Sequence, residues 1–280
     1  MSVRSRTRSL AEIDHKIVDE SRIIEETLTR LVAASRPLSV LEVGFGWGRA
    51  LTELAWMFHD HPIEFHGVDI DCKRPVEHSE DLREIARKFG IVPEPALAGF
   101  RVPQLHFYDA TRLHFADESI DLIYSAVAIR FFERKAEFLE EVCRVLRPGG
   151  VALLQMAELD WNYPYGLAND DENITPYLSR MVLMHGTELI PVPAYFSLFE
   201  GDTFRFRFTI DSRCSIIIEK FQRGRLTLGL EYNAGLSGPT IGLPSWQRKL
   251  GKPKDGFRSV YDIPADMYRA LVEQGLLRIN

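Results

Sequence analysis

Apolar residues along the chain recur first with a helical period. Ile24, Leu28, Leu31 and Val32 fall at i, i+4, i+7 and i+8, one face of a helix, which predicts a helix over residues 11–34 closed by Pro37. Ser39-Val40-Leu41-Glu42-Val43 is a short β-rich run that stops at Gly44-Phe45-Gly46-Trp47-Gly48, and a helical period resumes with Ala50, Leu51, Leu54, Ala55 and Phe58. The two signals then alternate. Strands are expected over 64–69, 104–109, 121–127 and 151–156. Helices are expected around Leu82, Ile85, Ala86 and Phe89, and around Phe138, Leu139, Val142 and Leu146, the latter ended by Pro148-Gly149-Gly150. Such alternation implies βαβ units and a mostly parallel sheet covered on both faces. The stretch 73–101 exceeds a minimal crossover, so an extra helix or loop is expected there.

After Met156 the rhythm changes. Trp161-Asn162-Tyr163-Pro164-Tyr165-Gly166 is aromatic and turn-rich, and a helix is expected over 175–185. Phe204, Phe206 and Phe208 alternate with Arg205 and Arg207, the period of a strand with one wet face. Further strands are expected over 215–220 and 226–232. Residues 235–258 are rich in Gly, Pro and Lys without periodicity, and a last helix is expected from about Pro264 to Gly275. The organisation expected is an N-terminal arm and helix over 1–34, a core over 35–160, and a third part over 161–280.

Composition narrows the class without fixing it. The 280 residues, 45% hydrophobic and 26% charged, fit an ordinary globular protein with its own core. The formal net charge of −6 argues against a broad nucleic-acid-binding surface, and no apolar run approaches the ~20 residues of a membrane helix. Cys72, Cys143 and Cys214 are an odd number without metal-ligand spacing, which favours a reducing compartment such as the cytoplasm. Arg4, Arg6 and Arg8 precede no apolar segment, so the start reads as a disordered arm rather than a secretory signal. His59, Asp60, His61, His66 and Asp69 cluster in sequence, but ahead of the second strand, where a surface turn explains them; no metal is expected.

The strongest local feature is the glycine loop. Glycines at alternate positions let the backbone turn sharply out of a strand and approach a ligand closely, and the following helix offers unpaired N–H groups. The spacing is G-x-G-x-G, with Arg49 where dinucleotide binders place a further glycine. Asp69 ends the second strand 25 residues after Gly44, where an acid can accept from ribose hydroxyls, with Asp71 as a rival. Asp109 ends the third strand, where an acid can accept from an exocyclic amine.

With LEVGFGWG, EFHGVDID, YDATRLHFADESIDLIYSA and FLEEVCRVLRPGGVALL in this order, the chain resembles the class I S-adenosylmethionine-dependent methyltransferases, in their small stand-alone, small-molecule branch. The resemblance covers roughly residues 35–157. It implies an α/β, Rossmann-like doubly wound sheet of seven strands in the order 3-2-1-4-5-7-6, with strand 7 antiparallel. It also implies S-adenosylmethionine as cofactor. Gly44, Gly46, Gly48 and the backbone of Phe45 would line its methionine part, with Glu42 holding the amino end. Asp69 would take the ribose hydroxyls, with Ile70 beside it. Asp109 and the Ala110 N–H would face the adenine, and Tyr124 and Ser125 would lie beside the sulfonium. Trp47, and Arg130 near where relatives often carry His, depart from the pattern.

The acceptor is expected at the carboxyl edge of the fifth strand, where open α/β sheets bind ligands. Trp161, Tyr163 and Tyr165, with Arg130, are the candidates for shaping its pocket. Glu158, Asp160 and His185 are the candidates for a base. Methyl transfer is an in-line displacement that mainly requires the nucleophile to be held close, so a carboxylate acceptor would need no base at all. A small-molecule or short-peptide acceptor is expected. The alternatives are a protein or RNA acceptor, or a methyltransferase-like binding module without catalysis. A homodimer is compatible with the sequence.

Overall fold

A computed structural model describes residues 7–34, 36–71, 75–156, 181–186, 188–209, 215–234 and 259–277. Two helices open the chain, α1 (Leu10–Ile17) and α2 (Ile23–Val32), where the sequence predicts one. Ser9 caps α1, accepting from the Glu12 N–H while the Glu12 carboxylate accepts from the Ser9 N–H. Val18 then turns to an extended conformation, and Glu20 adopts a φ of 49°. The buried Asp14 carboxylate stabilises this break by accepting from the Ile24 N–H at 2.8 Å, at the start of α2. Both helices then bury apolar faces on the same core.

The glycine loop connects β1 (Leu38–Val43) to α3 (Arg49–Met57). The chain continues through β2 (Ile63–Asp69), α4 (Leu82–Lys88), β3 (Gln104–Phe107), β4 (Ile120–Ser125), α5 (Lys135–Val145) and β5 (Leu146–Gln155). The long crossover between β2 and β3 carries two short 3-10 turns besides α4. Further on come β6 (Met181–His185), β7 (Glu188–Ile190), a helix at Val192–Ser197, β8 (Phe204–Phe208), β9 (Ser215–Lys220), β10 (Glu231–Tyr232), β11 (Ser259–Asp262) and a helix at Ala265–Glu273.

Seven strands form the main sheet, in the order β3-β2-β1-β4-β5-β9-β8. Counted within that sheet the order is 3-2-1-4-5-7-6. The first five strands are parallel, and β9 runs antiparallel to both neighbours. This is the order the resemblance implies. Alternation along β1 divides the core. Val40 faces the cluster of α1, α2 and α3, while Leu41 and Val43 face the cluster built on α5.

Three expectations change after β5. Residues 181–185, expected to be helical, form β6, because Met181-Val182-Leu183-Met184-His185 pairs with β11 on one side and β7 on the other. Of the strand expected over 226–232 only Glu231–Tyr232 is laddered. Leu228 instead donates its N–H to Glu140 at 2.7 Å and accepts at its carbonyl from the Tyr195 hydroxyl at 2.5 Å. The second sheet, β10-β11-β6-β7, has no counterpart in the expected seven strands. Its Leu183, Ile190 and Tyr261 join the core built on α5. Among the described residues no helix is long and apolar enough to cross a membrane.

Candidate functional site

A cavity of about 580 Å³ lies at the carboxyl ends of the parallel strands. It falls within the range usual for small-ligand sites. It is lined by Val43, Gly44 and Gly46 at the end of β1, Val68, Asp69 and Ile70 at the end of β2, and Asp109, Ala110 and Thr111 after β3. Ala126–Ala128 and Phe131–Arg134 close it after β4, and Arg8 reaches it from ahead of α1. A groove of similar volume between α2 and β5–β9 lies along the middle of the strands, away from these loops.

The glycine loop is built for close approach. Gly44, Gly46 and Gly48 have φ of 79°, 63° and 70°, a region costly for residues with a Cβ. A Cβ on Gly44 would lie 2.1 Å from the Ala128 Cβ, so the loop and the turn after β4 are pressed together. Asp69, nearly buried, accepts from the Gly46 N–H at 3.1 Å and so ties the end of β2 to the loop. Asp109 is exposed and accepts from the Thr111 N–H at 2.9 Å, an Asx turn that fixes its carboxylate at the rim. Asp71, the rival to Asp69, is exposed and does not line the cavity.

Of the residues expected to bind cofactor, the cavity brings together Gly44, Gly46, Asp69, Ile70, Asp109 and Ala110. Of the others, Glu42, Tyr124, Ser125 and Gly48 pack elsewhere, and Phe45 stands between the two lining glycines with its side chain turned away. Glu42 shares the Val40 side of β1 and is buried, accepting from the hydroxyl of Tyr124, its register partner on β4, at 3.1 Å. Burial pushes the Glu42 carboxyl up to about 8, with the Tyr124 hydrogen bond pulling the other way and the Asp69 charge adding to the rise. Burial thus favours the protonated, neutral form of this carboxyl inside the core. Burial likewise raises the Tyr124 phenol, with the Glu42 carboxyl next in effect. Ser125 is buried and donates to the Val43 carbonyl at 2.8 Å. Phe45 turns into a small cluster with Val76, Leu82 and Ile85, and Gly48 packs against Leu82.

The expected acceptor residues divide similarly. Glu158, Asp160, Trp161, Tyr163 and Tyr165 lie outside the described residues. His185 sits in the second sheet, stacked on Tyr268 at 4.0 Å between centroids, and does not line the cavity. Arg130 lies over the Phe131 ring at 5.0 Å; its neighbours Phe131 and Phe132, not Arg130 itself, line the wall. Among the described residues no three His, Cys, Asp or Glu side chains are grouped to hold a metal ion. His59 of the acid and His cluster stacks on Trp56 beside α3.

Sequence reasoning missed Arg8 and the wall after β4. Arg8 is brought in by a strap across α3. Arg49 donates to the Thr7 carbonyl at 3.3 Å and pairs with Glu53 at 2.8 Å, and Glu53 accepts from the Leu10 N–H at 2.5 Å. The spacing of Ser9 and Glu12 was the available signal, since it fixes where α1 begins. On the opposite wall Arg134 pairs with Glu137 at 3.3 Å and lies over the Tyr232 ring, whose hydroxyl donates to Glu133 at 2.6 Å.

The residues present fit the cofactor that the resemblance implies. Two carboxylates stand at successive strand ends, the glycines of the loop face them, and Arg8 brings a cation suited to an anionic group. Comparison with known proteins agrees for this part of the chain. Residues 41–154 match the methyltransferase domain family. A malonyl-[acyl-carrier protein] O-methyltransferase of Methylococcus capsulatus is 55% identical over 42 residues, 15% of each protein. A fatty-acid O-methyltransferase of Mycolicibacterium smegmatis is 30% identical over 45% of this chain and 39% of its own length. A malonyl-[acyl-carrier protein] O-methyltransferase of a Methylovorus species is 25% identical over 74% of this chain and 67% of its own. The chain thus spans well under half the length of the first two of these relatives.

Proposed function

We propose that this chain, whose residues 41–154 form a class I methyltransferase domain, binds S-adenosylmethionine in the cavity at the carboxyl edge of its main sheet and methylates a small acid on oxygen. The observation that carries this reading is the lining of one cavity by the glycine loop, two strand-end carboxylates and, on the facing wall, apolar side chains with Arg134. Gly44 and Gly46 admit the methionine half, Arg8 balances its carboxylate, and Asp69 and Asp109 accept from the ribose and the adenine. When bound, the cofactor supplies a methyl group already activated by a sulfonium. The protein's part is to hold the nucleophile in line and exclude water. In this reading residues 35–160 hold the cofactor and also supply the wall after β4 that meets the acceptor, with residues 161–280 supporting the acceptor side.

A carboxylate acceptor suits the lining. Among the described lining residues there is no His, Lys or Cys to take a proton, and two of the three acids are committed to the cofactor. A carboxylate is already a nucleophile at neutral pH and needs no base. Val127, Ala128, Phe131 and Phe132 give an apolar wall for an acyl chain, and Arg134 gives a partner for the carboxylate. Three relatives are named for O-methylation of an acid, one a fatty acid and two a malonyl group on a carrier protein.

The test is transfer of labelled methyl from S-adenosylmethionine to a panel of fatty acids, dicarboxylate half-esters, phenols and amines of matched size. Base-labile, ester-type label on the acids alone is the expected result. Label only on amines or phenols overturns the carboxylate reading. Failure to bind S-adenosylmethionine in calorimetry overturns the whole.

A further inference from the structure

Gln155 ends β5 and is fully buried. Its Oε1 accepts from the Val127 N–H at 2.7 Å. Only the oxygen of a carboxamide can accept, so this bond fixes which way the group points. The Nε2 therefore faces the other way, and no acceptor meets it among the described residues. A buried donor left unmet costs ~1–3 kcal/mol, comparable with what the Val127 bond contributes, so the carboxamide adds little net stability at this position. The return on this cost lies in what the carboxamide holds.

Val127 has a φ of 69°. A β-branched residue in the left-handed region is a genuine outlier, and such strain persists only where the surroundings impose it. The Gln155 bond is one imposing contact. Ser125, two residues earlier, is a second, since its hydroxyl holds the Val43 carbonyl at 2.8 Å across the strand pair. The strained turn Ala126–Ala128 forms one wall of the cavity, and Ala128 presses on Gly44 so closely that a Cβ there would meet it at 2.1 Å. The position of this turn thus sets the gap between the glycine loop and the facing wall.

We propose that Gln155 is a positioning residue for methyl transfer, clamping the strained turn at Val127 against the glycine loop so that the wall fits around the sulfonium and its methyl group. The inference rests on the reading that the cofactor occupies this cavity with its methionine half at the glycine loop. Gln155 touches neither cofactor nor acceptor; it acts through Val127 and Ala128.

The test compares S-adenosylmethionine with S-adenosylhomocysteine, which lacks only the methyl group and its charge. Calorimetry on the full chain gives the affinity ratio of the two for wild type, Gln155→Met, Gln155→Glu, Val127→Gly and the double variant Val127→Gly/Gln155→Met. Gln155→Met keeps the volume but removes the acceptor. It is expected to lower the ratio about three- to tenfold, the coupling of a direct neighbour, while binding of S-adenosylhomocysteine changes much less. Gln155→Glu, which keeps an oxygen for the Val127 N–H, is expected to restore the ratio. Glycine adopts the left-handed conformation without help, so in the Val127→Gly background the Gln155→Met change is expected to have little further effect. Parallel weakening of both ligands, with the ratio unchanged, marks a merely structural role and overturns the proposal. So does an undiminished Gln155→Met effect in the Val127→Gly background. A wild type that binds S-adenosylhomocysteine tightly with no variant effect sinks this inference alone, whereas one that binds neither ligand sinks it together with the proposed function.

Discussion

Replacing Gly44 by Ala separates two costs that glycine loops usually confound, backbone strain and lack of room. The strain is general. An L-residue in the left-handed region costs ~1–2 kcal/mol, and Gly44 at φ 79° shares this with Gly90 at φ 62°. The room differs completely. Nothing lies within 4 Å of a Cβ built on Gly90, whereas one on Gly44 would meet the Ala128 Cβ at 2.1 Å, against 3.4 Å for ordinary contact. Relieving that overlap requires the turn after β4 to retreat by more than an ångström, and overpacking of this kind costs ~1–3 kcal/mol. Gly44→Ala is therefore expected to lose ~2–5 kcal/mol and Gly90→Ala ~1–2 kcal/mol.

Urea unfolding of both variants measures the difference directly. Ala128→Gly in the Gly44→Ala background removes the atom that is struck, and should recover the overpacking part while leaving the strain. Calorimetry with S-adenosylhomocysteine adds a second readout, because a turn forced outward widens the cavity that Gly90 does not touch. If Gly44→Ala costs no more than Gly90→Ala, or if Ala128→Gly recovers nothing, the close packing of loop on turn is wrong.

Three further outcomes are expected from the site and its surroundings. Asp69→Ala removes both a proposed cofactor partner and the acceptor of the Gly46 N–H, so it should weaken S-adenosylhomocysteine about ten- to a hundredfold, and Asp109→Ala, at an exposed rim, less; the reverse order in calorimetry would exchange their proposed roles. Glu42, raised by burial to about 8, keeps in the folded state a proton that the unfolded chain releases near the usual carboxylate value. Its contribution is full below that value and drains at ~1.4 kcal/mol per pH unit as pH rises toward 8, so Glu42→Gln should flatten the fall in urea stability between pH 5.5 and 7.5, and an unchanged slope refutes the assignment. His66, lowered by burial and then by the His106 charge to about 4, works in the opposite sense. Its contribution is present above the ordinary histidine value and lost as pH falls from 6.5 toward 4, so His66→Gln should reduce acid sensitivity in that window, read by the same unfolding series.

The convergence of the residues proposed to hold the cofactor was legible because its geometry is local to the chain. A strand that runs into alternating glycines must turn at once, and each following strand ends beside the previous one in a parallel sheet. That logic carries Gly44, Gly46, Asp69 and Asp109 to one edge without any long-range information. It fails for Glu42, although the alternation of β1 held the clue. Glu42 falls on the same side as Val40, hence under α3 rather than in the loop beyond the strand end. It fails again at Val127, which local preference assigns to an extended strand. The observed left-handed turn is hydrogen-bonded to Gln155, 28 residues away. Arg8 was hidden by the same circumstance, for its position depends on Arg49 and Glu53 in another helix.

The wall proposed for the acceptor resists reading for a deeper physical reason. β6 acquires its identity as a strand by pairing, with β7 nearby in sequence and with the distant β11, Met181 lying opposite Ser259 and Met184 opposite Asp262. Residues 181–185 alone carry an apolar run that suits helix or strand equally, and length cannot arbitrate at five residues. The same pairing carries β11 onto the cavity wall. Ser259 donates to the Glu133 carbonyl at 2.6 Å and accepts from the buried Lys135 ammonium at 3.0 Å, while the Tyr261 hydroxyl donates to Glu137 at 3.0 Å. Tyr232, on the strand next to β11, donates to Glu133 itself. Glu133 and Arg134 line the cavity, so the shape and charge of the wall facing the glycine loop depend on a sheet whose strands come from segments some eighty residues apart in sequence. A variant that loosens this sheet, such as Ser259→Ala, should therefore alter acceptor kinetics before it alters cofactor affinity. Equal loss of both would mean that the second sheet supports the whole molecule rather than the wall.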